Sequence, residues 1–116
     1  MHRDYRLYLD DILEAIEQIR FYVTGYSRID FERDRRTQDA VIRNLEIIGE
    51  AAGKLPEDLY TTSHNVEWRK IIAFRNILIH EYFGVSLAIV WDVVQNKLDP
   101  LKTACCKLLE MASRES

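Results

Sequence analysis

The stretch FRNILIHEYFG, residues 74–84, carries the side chains of this sequence best suited to chemistry. Arg75 and His80 lie five residues apart, and Asn76 directly follows the arginine. An imidazole can both accept and donate a proton near neutral pH, whereas a guanidinium keeps its charge and forms forked hydrogen bonds to phosphate oxygens. The combination therefore suits chemistry on a phosphate ester.

RNA contains such an ester together with a nucleophile, the ribose 2'-hydroxyl. His80 would deprotonate this hydroxyl or protonate the leaving oxygen, and Arg75 would stabilise the charge that develops on the phosphorane. Such a reaction requires neither a metal ion nor a cofactor. A purely structural alternative is that Arg75 pairs with Glu46 or Glu50 while His80 hydrogen-bonds a carbonyl, and the spacing alone favours this alternative.

No other combination of residues predicts a reaction centre. HEYFG lacks the second histidine of the H-E-x-x-H zinc motif because position 84 is glycine, and His2 and His64 have no ligand spacing. The adjacent Cys105 and Cys106 point about 100° apart on a helix and cannot easily form a disulfide. The sequence therefore predicts no metal site.

Apolar residues recur at helical spacing along most of the chain, with few glycines and prolines to interrupt them. We expect an all-α bundle of four long helices and a fifth at the C-terminus. Gly53 fits a left-handed helix end, and 54–65 is the longest irregular stretch. The first expected helix spans residues 4–23 and stops around Gly25, and the second is capped by Asp30 or Asp34 and runs to Ala52. The third runs from the cap Asn65 to Gly84. The fourth follows the cap Ser86, and the fifth follows the cap Asp99.

The third helix places its polar groups along one seam. Arg75 and Tyr82 stand about 20° apart on the helical wheel, and Asn76 and His80 lie roughly 100 to 140° round from Arg75. The long arginine side chain can narrow that gap, so all four groups can face one concave surface. A polar seam with apolar flanks usually packs against a helix or a second copy of the chain, which suggests a homodimer. Three residues of the second helix could contact the seam: Asn44, Glu46 and Glu50.

Length and composition predict one domain, residues 1–116, in the cytoplasm. The chain has 116 residues, 47% of them hydrophobic and 30% charged, and a net charge of -3. No segment reaches the roughly 18 apolar residues of a membrane span, and the start, MHRDYRLYLDD, has acids where a signal peptide needs apolar residues. The negative charge argues against tight nonspecific binding to nucleic acid. The arginines between positions 28 and 43 alternate with acids, as on a solvated helix face.

Read as a whole, the stretch from Arg75 to Tyr82 resembles the R-x4-H-x-Y signature of the HepT branch of the HEPN superfamily. DRRTQDAVIRNLEIIGEAAGKL, the Trp68-Arg69 pair and YFGVSLAIVWDVVQNKLDPL are similar to that family as well. The resemblance implies a HEPN-type helical bundle, a homodimer with a shared cleft, and a metal-independent endoribonuclease that acts as a toxin. It also implies a partner, a nucleotidyltransferase antitoxin that transfers AMP from ATP to the motif tyrosine.

Carried over by position, the resemblance makes Arg75 and His80 catalytic, gives Asn76 a supporting role and makes Tyr82 the AMP acceptor. An adenylyl group would add bulk and negative charge beside the cleft and repel an RNA phosphate. Many HEPN domains have lost cleavage. The alternative is therefore a noncatalytic helical module that binds a nucleotidyltransferase, with Tyr82 as an interface aromatic residue.

Overall fold

The computed structural model describes residues 3–81 and 84–115. All regular secondary structure within these ranges is helical. The prediction of an all-α bundle is confirmed. None of the helices in the described ranges is long and apolar enough to cross a membrane. The α-helices are α1 (Tyr5–Val23), α2 (Arg28–Glu32), α3 (Arg35–Ala52), α4 (Glu57–Thr62), α5 (Trp68–His80), α6 (Leu87–Asn96) and α7 (Leu98–Glu115).

Helix α3 is central because α1 packs along one side of it and α5 along another, while α7 packs on α1. The apolar line of α1 is fully buried and supplies much of the core. The short α2 contributes Phe31, whose ring lies 5.4 Å from that of Trp91 on α6. Burial of these side chains, at about 25 cal/mol per Å² of apolar surface, is the main stabilising contribution. The buried positions of α1 are Leu9, Ile12, Ala15, Ile16 and Ile19.

Side-chain caps begin several of the helices where the sequence predicts them. Asp34 caps α3, since its carboxylate accepts from the Thr37 amide at 3.1 Å and from the Tyr26 hydroxyl at 2.6 Å. The hydroxyls of Tyr26 and Thr37 and the Thr37 amide stabilise the charged form and lower the pKa of Asp34 to about 2. Ser86 caps α6 through the Ile89 amide, and Gly25, at φ 78°, takes the left-handed turn after α1.

Three boundary predictions are wrong, and Gly53, which follows the end of α3 at Ala52 as predicted, has a different conformation from the one predicted. Gly53 ends α3 with a right-handed φ of -67°, because the chain continues directly into turns that lead to α4. Glu67, not Asn65, precedes α5. Helix α5 ends at His80, before Gly84. Helix α7 begins at Leu98, which places Asp99 in its first turn, where it forms an ion pair with Arg20 of α1.

The sequence reading also missed α2 and α4, and α4 matters for the position of α5. The Tyr60 hydroxyl of α4 donates to the Ala52 carbonyl at the end of α3, at 2.7 Å. The buried Trp68 indole donates to the Ser63 carbonyl at 3.1 Å, and its ring centroid lies 5.9 Å from that of Tyr60. These contacts fix the first residue of α5 against the last turn of α3.

Candidate active site

Helix α5 carries the candidate catalytic residues and is the least buried of the long helices. Of its thirteen residues, only Trp68 and Leu78 are buried. Its exposed residues form one continuous face at spacings of three and four, and we call these residues the α5 outer face. Polar and apolar side chains are mixed along it, and its members are Arg69, Lys70, Ala73, Asn76, Ile77, Ile79 and His80.

Arg75 lies on a different side of α5, where it is half-buried against α3. Its guanidinium turns toward the α5 outer face, and Nη1 donates to the Asn76 Oδ1 at 3.1 Å. The long side chain therefore brings the Arg75 guanidinium closer to the side of α5 that carries Asn76 and His80, as the sequence predicts. Its Nε is buried and has no hydrogen-bond acceptor among the residues that the structure describes.

His80 is the last residue of α5, and its side chain is exposed. It stands one turn beyond Asn76 on the same line of the helix. Within the described part of the chain, no hydrogen bond joins its imidazole to Arg75 or Asn76 or to any other group. The imidazole is therefore open to a ligand or to a second molecule.

The alternative in which Arg75 pairs with Glu46 or Glu50 is not what the structure shows. Glu46 forms its ion pair with Arg43, at 3.5 Å. Glu50 is exposed and lines a cavity of about 200 Å³ next to α1. Asn44 donates to the carbonyl of Ala40 in its own helix. In residues 3–81 and 84–115 no carboxylate pairs with Arg75, so its charge is available to an anion.

Gly49 is the residue of α3 that meets Arg75, and the sequence reading missed it. A Cβ built on Gly49 would overlap the Arg75 Cβ, and would lie 3.0 Å from its Cγ and 3.2 Å from the Ile71 carbonyl oxygen. The two helix backbones can approach this closely only because the side chain is absent. A glycine inside a strong helical pattern, four residues before another glycine, was the available signal.

Tyr82, the predicted AMP acceptor, lies outside the described residues. The described residues contain no group of three or more histidine, cysteine, aspartate or glutamate side chains that could hold a metal ion. Cys105 is buried in α7, and burial raises the pKa of its thiol to about 12, which makes it a poor nucleophile. The chemistry offered by the described residues is therefore that of Arg75, Asn76 and His80.

The family model described as "Ribonuclease HepT-like" matches residues 12–108, which cover nearly all of the helical bundle. The chain belongs to the HepT-like ribonuclease family. This membership confirms the resemblance to the HEPN superfamily and the predicted class of enzyme, a ribonuclease. No solved structure matches the chain.

Three relatives show the range of proteins that contain such a unit. A "Probable ribonuclease HepT" from Thermococcus cleftensis is 42% identical over 88% of this chain and 93% of its own length. A "Putative RNase" from Methanocaldococcus jannaschii is 43% identical over 83% of this chain and 79% of its own. A "Gamma-glutamylcyclotransferase and putative RNase" from the same organism is 40% identical over 95% of this chain, which spans 50% of that relative's length.

The Nε of Arg75, which is buried without an acceptor in residues 3–81 and 84–115, predicts that this residue destabilises the fold. We expect Arg75→Met to raise the free energy of unfolding by about 1 kcal/mol, because an apolar side chain of similar length removes an unsatisfied donor. Urea unfolding of the two proteins measures the difference. Arg69→Met is the control, since Arg69 is exposed on the same helix and should change stability little. An Arg75→Met protein less stable than the parent would contradict this prediction.

Proposed function

We propose that this chain is a metal-independent endoribonuclease whose site is shared by two copies, and that it is the toxin of a toxin-antitoxin pair. The observation that carries the proposal is the arrangement on α5. The Arg75 guanidinium has no carboxylate partner among the described residues and donates to Asn76, and an exposed imidazole lies one turn beyond Asn76 along the helix. Family membership and the names of the relatives, which include ribonucleases, support the same activity.

The proposed reaction is an internal transfer of the phosphate. The ribose 2'-oxygen attacks the adjacent phosphorus, the bond from phosphorus to the 5'-oxygen breaks, and the products are a 2',3'-cyclic phosphate and a 5'-hydroxyl. The His80 imidazole of one copy accepts the 2'-hydroxyl proton, and the imidazolium so formed donates a proton to the leaving 5'-oxygen. Arg75 stabilises the negative charge on the phosphorane oxygens. The second copy of the chain would supply this Arg75.

The α5 outer face supports the proposal of a homodimer. Ile77 is 46% exposed and Ile79 is 41% exposed, beside the candidate catalytic groups. Ala73, at the centre of the face, is small enough for another helix to approach closely. The guanidinium and the imidazole belong to successive turns of α5, so a two-fold axis near Ile77, midway between them along the helix, would bring the arginine of one copy toward the histidine of the other.

Control by AMP transfer is the regulatory part of the proposal. The residue pattern places Tyr82 two positions after His80. Adenylylation of its hydroxyl would transfer AMP from ATP, release pyrophosphate and leave a bulky anion beside the cleft. Such an anion would compete with the RNA phosphate for the Arg75 charge. The partner that performs this step would be a nucleotidyltransferase.

A noncatalytic module that binds such a nucleotidyltransferase is the second candidate. The observation in its favour is the surface charge, since several exposed arginines are neutralised within the chain. Arg28 pairs with Glu32 at 2.9 Å and Arg43 with Glu46 at 3.5 Å. Such pairs leave fewer cations for a long nucleic acid. The two candidates differ in whether purified protein cleaves RNA.

His80→Ala should abolish most cleavage without changing the fold. We expect the rate at saturating RNA to fall about 100-fold to 10,000-fold, because general acid and base catalysis is lost. The melting temperature should stay the same, since His80 is exposed. Cleavage of a fluorescent RNA in excess EDTA measures the rate, and His64→Ala, an exposed histidine outside α5, is the control. A His80→Ala protein that cleaves normally would refute the catalytic role.

Mixed dimers test the shared cleft. When Arg75→Ala and His80→Ala proteins are mixed and allowed to exchange subunits, half of the dimers should be mixed, and each mixed dimer should have one intact site. Activity should then recover to about a quarter of the wild-type value. The control is each variant mixed with itself. Mixed dimers that form but remain inactive would show that the two groups do not act across the interface.

The tyrosine is tested separately from cleavage. Incubation with the partner nucleotidyltransferase and ATP should add the mass of AMP to the wild-type chain, and Tyr82→Phe should remain unmodified. Intact-mass spectrometry followed by peptide mapping measures the addition. Tyr60→Phe, a change in another tyrosine of the chain, is the control. AMP on the Tyr82→Phe protein would place the acceptor elsewhere.

A further inference from the structure

We infer that Gly49 is a positioning residue for Arg75, and that the missing side chain on α3 sets the direction of the guanidinium. The catalytic consequence of this inference rests on the proposed function. Its structural consequence rests on the packing of α3 against α5. Gly49 itself would touch neither RNA nor the reacting atoms. It would act only through the arginine.

The contact leaves no room for any other residue at position 49. An added Cβ would overlap the Arg75 Cβ, an atom that cannot move without its backbone, and would crowd the Ile71 carbonyl oxygen at 3.2 Å. The far end of a flexible side chain could yield, but these atoms are fixed to α5. Any larger residue must therefore push α5 away from α3 at this turn.

The close approach also explains the state of the Arg75 side chain. Gly49 lets α3 cover the stem of Arg75, which buries Nε where the described part of the chain offers it no acceptor. Burial of a charged donor in this way is unfavourable and is retained where function requires it. With the stem held, the terminal nitrogens can extend in few directions, and Nη1 reaches Asn76. The guanidinium is thereby preorganised for an anion on the α5 outer face.

Gly53 provides a matched control on the same helix. It lies one turn after Gly49 and also faces α5, yet an added Cβ there would lie 3.4 Å from the Gly49 carbonyl oxygen and 3.9 Å from the Ile72 Cγ1. These are ordinary van der Waals distances, and its φ of -67° suits any residue. Gly53→Ala should therefore be tolerated.

The first experiment measures cleavage in a double-mutant cycle. Gly49→Ala should lower the rate at saturating RNA about 100-fold while KM changes little, because a displaced guanidinium still attracts RNA but misses the transition state. Gly53→Ala should cleave at the wild-type rate. In an Arg75→Gly background, which lacks the Cβ that the new methyl group would strike, Gly49→Ala should cause no further loss. A full additional loss in that background would show that Gly49 does not act through Arg75 and would overturn the inference.

The second experiment does not depend on cleavage, so it separates this inference from the proposed function. Hydrogen exchange of the Arg75 Nε–H, followed by NMR, should be at least ten times slower than that of the exposed Arg69 in the wild-type protein. Gly49→Ala should abolish the difference, and Gly53→Ala should preserve it. Equal exchange of the two arginines in the wild type would overturn the inference, whether or not the protein cleaves RNA.

A third comparison covers the case in which Gly49→Ala does not fold. Arg75→Gly removes the Cβ that the new methyl group would strike. The melting temperature should therefore fall much less on Gly49→Ala in the Arg75→Gly background than in the wild type, and the double variant should fold. An equal loss in both backgrounds would mean that the two residues are not in direct steric contact, which overturns the inference.

Discussion

The close packing of α5 on α3 is the constraint on which the rest of this structure depends. One side of α3 is covered by α1, so α5 must pack on the remaining surface of α3. The two helices come closest at Gly49. Two helix backbones in near contact leave little freedom for rotation or sliding. The orientation of α5 fixes which residues face inward and which remain exposed. The half-buried arginine and the exposed histidine both follow from that single docking geometry.

The site departs from the rules that make a fold stable. A buried guanidinium nitrogen with no acceptor among the described residues is a feature that a purely structural helix would avoid. The described chain otherwise has a continuous apolar core and side-chain caps on α1, α2, α3 and α6. An unfavourable group of this kind is characteristic of a surface that binds a ligand.

The long helices could be predicted from sequence because apolar residues recur along them at helical spacing. Asp34 and Ser86 could be recognised as caps from their type and position. The short α2 and α4 have too few turns to show a period, so they were missed. The end of α3 at Ala52 was predicted correctly, whereas the end of α5 was misplaced at Gly84 because tertiary contacts, rather than local preference, determine where this helix ends.

Part of the candidate site could also be predicted. The type and spacing of Arg75, Asn76 and His80 indicated their chemistry, and the reach of the arginine toward Asn76 followed from its length. Gly49 could not be placed, because contact between positions 49 and 75 depends on how two helices cross. The role of Tyr82 and the extent of a single domain remain predictions.

The anchoring of Trp68 gives α5 an asymmetry along its length. The helix is fixed at its first residue by the bonds of Trp68 and Tyr60 to backbone carbonyls, and its last residue, His80, lies about 18 Å away at 1.5 Å per residue. The helix is thus anchored at the end that is farther from the imidazole. The contact of Gly49 with Arg75 holds the middle of the helix as well, so movement of the imidazole toward a substrate is confined to the His80 side chain and the last turn, while the rest of the helix stays in place.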